Sequence, residues 1–472
     1  MRTNNTLFLD TIMIKKKIFL LLSLILSPLL ISAQVEIGGI FYNLDPNMKT
    51  AEVNKWQENQ YNGEITIPSS LIYEGTEYNV TSIGDFAFAR CQGLTAIHFP
   101  DGLTSIGVYA FKDCTNLNEI NIPSSVKSIE LTSFITCGLT KVEIHSNALV
   151  SKDYESSVGG QYSLRDYFGQ QVKEYVLGDE ILSIGNCAFF SCHNLTSINI
   201  PKNVTKIGNS AFTLCENLTS IYIPKSVKSI GEDAFRNCFG LSSIMVEEGN
   251  SVYDSRENCN ALIRTADNAL IRGSNNTVIP NSVTNIEKEA FVGCSGLTSI
   301  VIPNSVTVIE NEAFSGCSEL TSITLPNSIN KISDFTFTWC SKLTTVIIPS
   351  TITCIGYAAF CNCSSLEDVY CYAEQIPETD KTFDETISEA TLHVPSNSIE
   401  SYKGITPWNI FGSIVALTDD DPKPTGIISV ENHKLINDNF IYDLQGNKLV
   451  QPKKGLNIIR TNEGKTKKVV VK

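Results

Sequence analysis

Cys294-Ser-Gly-Leu-Thr-Ser-Ile-Val-Ile-Pro-Asn-Ser-Val-Thr-Val-Ile-Glu-Asn-Glu-Ala-Phe-Ser-Gly316 is a unit that this chain repeats, and its reading decides the fold. Its cysteine recurs at Cys91, Cys114 and Cys137, at Cys192, Cys215 and Cys238, and at Cys294, Cys317, Cys340 and Cys363, 23 residues apart within each group. Three residues before each stands a phenylalanine, from Phe88 to Phe360, and three after nine of the ten stands a leucine. A period of this length means stacked structural units and not a domain built around one compact core.

Within the unit, Ile300, Val301 and Ile302 alternate inward and outward as a short strand does, and Pro303 removes the next ladder donor and stops it. Asn304-Ser305 is a turn. Val306 to Ile309 reads as a second short extended piece, and Glu310 to Cys317 carries Ala313, Phe314 and Cys317 at helical spacing. One unit therefore travels once around a coil. A single coil leaves both flat faces wet, so its Leu, Ile, Val and Phe are buried only when neighbours stack on it, with strands pairing about 4.8 Å apart. The expectation is an α/β repeat solenoid, right-handed, with parallel strands and short helical turns. About 14 coils would run on the order of 65 to 70 Å.

The run Leu218-Thr219-Ser220-Ile221-Tyr222-Ile223 has the pattern Leu-x-x-Ile-x-Ile and resembles the leucine-rich repeat. Ile207 to Pro224, which reads Ile-Gly-x-x-Ala-Phe-x-x-Cys-x-x-Leu-x-x-Ile-x-Ile-Pro, resembles more narrowly the BspA-like leucine-rich repeats of bacterial surface proteins. The resemblance spans roughly residues 36 to 417. It implies a leucine-rich-repeat solenoid whose activity is adhesion to host proteins or to other cells.

Two intervals break the period. Cys137 to Cys192 spans 55 residues and Cys238 to Cys294 spans 56, so each holds a period plus an insertion, near 145–173 and 247–279. The first, with Tyr154, Tyr162, Tyr167 and Phe168 among polar residues, reads as a surface excursion followed by a degenerate strand, Glu174 to Leu177, in which Gly178 stands for the usual proline; a worn-down repeat is the plainer reading. The second repeats Asn-Ala-Leu-Ile-Arg at 260–264 and 268–272 around a polar turn, which suits a hairpin-like variant coil. Residues 34–80 read as an N-terminal cap, 81–365 as the repeat array and 366–417 as a C-terminal cap in which Tyr402, Trp408 and Phe411 cover the last coil.

The ends belong to other business. Lys15-Lys16-Lys17 precede an apolar run from Ile18 to Ile31, and Ser32-Ala33 offers a small residue for cleavage, so residues 1–33 read as a signal peptide. Fourteen apolar residues are short for a bilayer span, and no transmembrane helix is expected in the mature chain. Residues 418–424 form a charged, proline-containing linker. Beyond it, 425–472 read as a small β-module that resembles the C-terminal sorting domain of type IX secretion in Bacteroidetes. Secretion or display on the outer cell surface follows from both ends.

A net charge of -14 leaves no basic stripe to neutralise phosphates, so nucleic acid is not an expected partner. Fifteen cysteines in an exported chain raise the question of disulfides. Ten of them share one inward position, where Cys behaves as a small hydrophobe and the side chains run parallel, so free buried thiols are expected. No zinc-ribbon or Cys-x-x-Cys spacing and no His-Glu-x-x-His occurs, and no cofactor or metal is expected. Only the insertion at 145–173 offers room for an unrecognised catalytic site.

Surface remains. The middle residue of each Ile-x-Ile strand points away from the core, giving the column His98, Asn121, Glu143, Asn199, Tyr222, Met245, Val301, Thr324, Ile347 and Tyr370. Its companion column is rich in Ser and Thr, from Ser197 to Thr345. A partly apolar stripe beside hydroxyls suits a protein-binding face, with Tyr222, Met245, Val301, Thr324, Ile347 and Tyr370 as the contact residues, although strand propensity alone favours Val, Ile, Tyr and Thr. The reading is a non-enzymatic surface protein that binds a host matrix or bacterial surface protein. A glycan-binding or nutrient-capture role, with the tyrosines as platforms, is the alternative.

Overall fold

The computed structural model describes residues 34–55, 61–154, 156–157, 160–424 and, farther on, the strand residues 428–429, 440–442, 448–449, 455–460 and 466–471; residues 1–33, expected to be a signal peptide, lie outside the described residues. The repeats form a solenoid of about 14 turns with parallel strands and little helix. Each regular coil contributes one strand of about four residues and one of two. Ser220–Ile223 pairs in parallel with Ser243–Val246, Ser220 opposite Ser243 and Ile221 opposite Ile244, which is the 23-residue period made visible. The two-residue strands Ser183–Ile184, Lys206–Ile207 and Ser229–Ile230 form a second parallel sheet on another side. Glu119 lies opposite Lys141, an offset of 22, because Leu139 follows Cys137 by two residues. Gly138 permits this tightening, since a Cβ there would lie 2.2 Å from the Thr115 carbonyl oxygen.

The arc carrying Ala-Phe-x-x-Cys is a run of tight turns where helical spacing suggested helix. Ala313, Ser315 and Cys317 donate their N–H to carbonyls three residues back, while Glu312, Phe314 and Gly316 donate to Asp334, Thr336 and Thr338 of the next coil. Directing every second amide to a neighbour requires left-handed residues at intervals, and Glu312 and Gly316 have φ of 59° and 73°. A helix would keep all those amides inside one coil and lose the inter-coil bonds. Among the described residues α-helix is limited to Asn147–Val150, Arg165–Phe168 and Ile399–Lys403.

The core has two ladders. Phe88, Phe111 and Phe134 stack with centroids 5.0 and 4.9 Å apart and nearly parallel planes, and Phe189, Phe212 and Phe235 follow at 5.3 and 5.5 Å. Phe291, Phe314, Phe337, Phe360 and Phe383 repeat the arrangement. Seven of the ten ladder thiols then donate to the phenylalanine carbonyl of the preceding coil, among them Cys114 to Phe88 at 3.1 Å, Cys317 to Phe291 at 3.4 Å and Cys363 to Phe337 at 3.2 Å. Phe and Cys recur together because the ring fills the core and the small thiol satisfies a buried acceptor without crowding it. None of the fifteen cysteines is in a disulfide. Burial pushes the Cys340 thiol up to about 12.

The first insertion rejoins the stack. Ser146 caps Asn147–Val150, the pair Ser156–Ser157 and Gly160–Gln161 forms a short antiparallel hairpin, and Arg165–Phe168 then lies in the turn arc. Phe168 is fully buried and stacks on Phe134 at 5.2 Å, so it occupies the spine position that the broken period hid. The expected excursion is thus a coil with a worn sequence and a small hairpin. Glu174–Leu177 pairs with the strands before and after it, and Gly178 ends it. In the second insertion Leu262–Arg264 and Ala269–Arg272 are antiparallel, as a hairpin-like coil demands.

Antiparallel strands Gln34–Ile37, Ile40–Asp45 and Thr50–Asn54 cover the N-terminal edge, and the Tyr61 ring meets Phe88 at 4.8 Å where the spine begins. At the other end Phe383 packs edge-on against Trp408 and Phe411, and Tyr402 meets Trp408 at 5.2 Å. Beyond the linker, five strands form one sheet, Ile428–Ser429 parallel to Thr466–Val471 and the other neighbours antiparallel.

Candidate protein-binding face

In each four-residue strand the flanking Ile side chains enter the core and the middle residue projects outward, so parallel pairing aligns the middle residues into a column. Tyr222 lies opposite Met245, and Thr324, Ile347, Tyr370 and His393 follow one another in register. Tyr222 and Met245 are 46% and 50% exposed. Val301, Thr324 and Tyr370 are half-buried.

Ile347 departs from expectation. It is only 7% exposed, lying in register between Thr324 and Tyr370. Tyr370 itself stacks on the His393 ring at 4.2 Å, and His393 pairs with Asp368 at 3.0 Å. The linker closes over the same end: Tyr372 donates its hydroxyl to the Pro422 carbonyl at 2.9 Å, and the Lys423 ammonium sits 5.7 Å from the Tyr372 ring centre. The C-terminal part of the column is therefore packed, and its exposed apolar part lies in the middle of the array. Val278, 47% exposed, belongs there and was missed. Its signal was present, since Val278-Ile279-Pro280 repeats Val301-Ile302-Pro303 at a distance of 23.

Two kinds of hydroxyl stand near the column. Thr196, Thr219 and Ser242 each donate to the carbonyl 23 residues earlier, as do Thr321 and Thr344, so they are bonds between coils. Ser197, Ser220, Ser243, Ser299 and Ser322 have no side-chain hydrogen bond among the described residues. Their hydroxyls border the exposed apolar side chains and are free for a partner. At the other end of the column the polar residues are engaged, His98 with Glu64 at 2.7 Å and Asn199 with both backbone groups of Leu177.

Chemistry of other kinds finds little footing. Four of the five histidines pair with carboxylates, His98, His145, His193 and His393, and the fifth, His433, lies outside the described residues. Burial raises the Cys192 thiol to about 12, which opposes nucleophilic use beside His193. Among the described residues no group of three or more His, Cys, Asp and Glu could hold a metal ion. No described helix is long and apolar enough to cross a membrane.

The sequence matches the BspA type leucine rich repeat region, in six copies, over residues 81–155, 165–264 and 272–398. Among solved structures, a leucine-rich repeat protein from Bacteroides ovatus is 25% identical, covering 82% of this chain and 100% of that one, with a TM-score of 0.51. A leucine rich cell surface protein from Faecalibacterium prausnitzii is 27% identical over 82% of this chain and 96% of that one, with a TM-score of 0.48. The pneumococcal vaccine antigen PcpA is 18% identical over 82% and 99%, with a TM-score of 0.47. No curated protein matches the chain significantly. The repeat arc, its Phe and Cys ladders and the matched spans lead to one conclusion: the chain belongs to the BspA-type leucine-rich-repeat family.

Proposed function

We propose that this chain is a surface-displayed, non-enzymatic binding protein that adheres to a host or neighbouring-cell protein through its strand face. Tyr222, Met245, Val278 and Val301 form the centre of contact, Thr324 and Tyr370 flank it, and Ile347 supports the face from beneath. The observation that carries this reading is the run of exposed apolar side chains bordered by serine hydroxyls that no intramolecular bond uses. A partner strand or loop laid across the coils would bury the apolar atoms and satisfy the hydroxyls together. Display follows from the lysine-flanked apolar leader at 1–33, cut near Ala33, and from the C-terminal segment that resembles a type IX sorting domain.

The test is capture by residues 34–417 of surface and matrix proteins, repeated with Tyr222→Ala and Met245→Ala. Each variant should weaken binding by about 1 to 2 kcal/mol, and Asn121→Ala should do less. Glycan arrays separate the alternative role, since a glycan lectin would bind them and lose that binding with Tyr222. If both column variants keep full affinity while removal of residues 155–161 abolishes it, the hairpin of the first insertion carries the function.

A further inference from the structure

The variant coil at 247–279 interrupts the stack. Two groups of buried side chains meet there without merging, one reaching Leu262 and the other starting at Cys259. The spine stops at Phe235 and resumes at Phe291. The cause is a missing turn arc, because the chain passes from the strand Ala269–Arg272 directly to Gly273. The Gly273 N–H donates to the Ala290 carbonyl as a spine phenylalanine would, and its own carbonyl takes the Cys294 thiol at 3.8 Å. The Phe291 ring fills the vacant side-chain position, 2.0 Å from where a Cβ on Gly273 would be.

Arg272, only 5% exposed, substitutes side-chain donors for the absent backbone. Its Nη1 donates to Glu289 O at 3.2 Å and its Nη2 to Val292 O at 3.0 Å. Between the arc of Asp233 to Arg236 and that of Glu287 to Glu289 a cavity of about 300 Å³ remains. A regular arc gives its neighbour three backbone hydrogen bonds, as Glu312, Phe314 and Gly316 do, yet among the described residues none joins these two arcs directly. Side chains close the gap instead. Arg236 Nε lies 3.0 Å from Glu289 Oε2, a contact of charges without an aligned hydrogen bond, and Lys288 holds the other oxygen at 3.1 Å.

The strand side of the same coil is continuous. Asn275 N–H donates to Leu241 O at 2.9 Å, its Nδ2 to Phe239 O at 2.8 Å, and Ser274 Oγ to Ser242 O at 3.2 Å. One side is thus bonded across the joint and the other is clasped by a partly exposed ion pair over a void. We propose that the variant coil is a hinge, pivoting on the strand side and held shut by the clasp of Arg236 and Glu289. Opening the arc side draws the strand face together, moving Tyr222 and Met245 toward Val278 and Val301, so the hinge sets how that face wraps a partner. The hinge stands independently of what the face binds.

Hydrogen exchange on the full chain without any ligand tests this. In Arg236→Ala and in the isosteric Glu289→Gln, amides of Gly273, Ala290 and Val292 should exchange about 2- to 5-fold faster, the effect of losing one partly screened ion pair on a local opening. Amides of Phe212 and Phe337, deep in the two blocks, should keep their rates, and small-angle scattering should show a broader distance distribution. Exchange that rises equally in both blocks, or nowhere, would overturn the hinge.

Discussion

Replacing Cys317 measures what the thiol ladder contributes. Its Sγ is fully buried and donates to Phe291 O at 3.4 Å, while that carbonyl also accepts the Cys294 N–H at 3.0 Å. In Cys317→Ala the acceptor keeps its amide partner, so the lost bond costs only about 0.5 kcal/mol. The missing sulfur leaves a void of roughly 20 Å³, worth about 0.5 kcal/mol, and its transfer from water adds about 1 kcal/mol. Alanine should therefore cost about 2 kcal/mol. Cys317→Ser loses the sulfur's packing but retains a donor aimed at the same carbonyl, and should cost about 1 kcal/mol, well below the penalty of an unsatisfied buried hydroxyl. Urea unfolding monitored together with amide exchange at Phe314 and Cys317 reads both, because long repeat arrays do not always unfold in one step. A serine variant that is less stable than alanine, by about 3 kcal/mol relative to wild type, would mean the carbonyl is out of reach and the ladder is packing alone.

Thiol titration of the unfolded, unreduced protein should find most of the fifteen cysteines free, and recovery of very few would show cross-linked coils. Phe314→Ala removes a ring stacked at 4.8 and 5.4 Å on its two sides and should cost about 3 to 5 kcal/mol, more than any change on the strand face; a smaller loss in chemical denaturation would mean neighbouring rings collapse into the space. For His145, burial works to lower the pKa, but the paired carboxylates of Glu180 and Glu143 outweigh it, so the folded value lies above the ordinary one. Its stabilising pair is present at pH below the unfolded histidine value and is lost as pH rises through the folded one, while Glu180, lowered by its bond to His145, loses its share on acidification. NMR titration should show the His145 value falling in Glu180→Gln; an unchanged value would refute the pairing.

The regular coils were legible because one side chain type per position repeats ten times, and each inward position announces itself by its neighbour 23 residues away. The turn arc misled for a physical reason: Ala313, Phe314 and Cys317 project inward from alternating turns at the same spacing that a helix would use, and only the direction of the amides distinguishes them. Phe168 was hidden because it lacks a cysteine partner three residues on, although its ring fills the spine as well as any other. Arg272 could not be foreseen as a core residue, since its burial depends on an arc that is absent. On the strand face, alternation revealed which residues alternate outward, but not that Ile347 is buried in its place between Thr324 and Tyr370, nor that Tyr370 is shielded by His393 from the next coil.

Between the regular coils the backbone and thiol bonds are made by donors and acceptors that recur at the same place, so such a coil recognises its neighbour and nothing farther. Recombination that deletes or duplicates one 23-residue block within the stretch from Cys317 to Cys363 would leave each thiol facing a phenylalanine carbonyl and each ring facing a ring. Copy number in that stretch is a heritable length setting, adjustable in steps of about 4.8 Å. The block that holds Arg272 and Gly273 has no such freedom. Slippage through it would strand a guanidinium among carbonyls that already have amide donors, so gains and losses of coils should accumulate on either side of the joint and spare the joint itself.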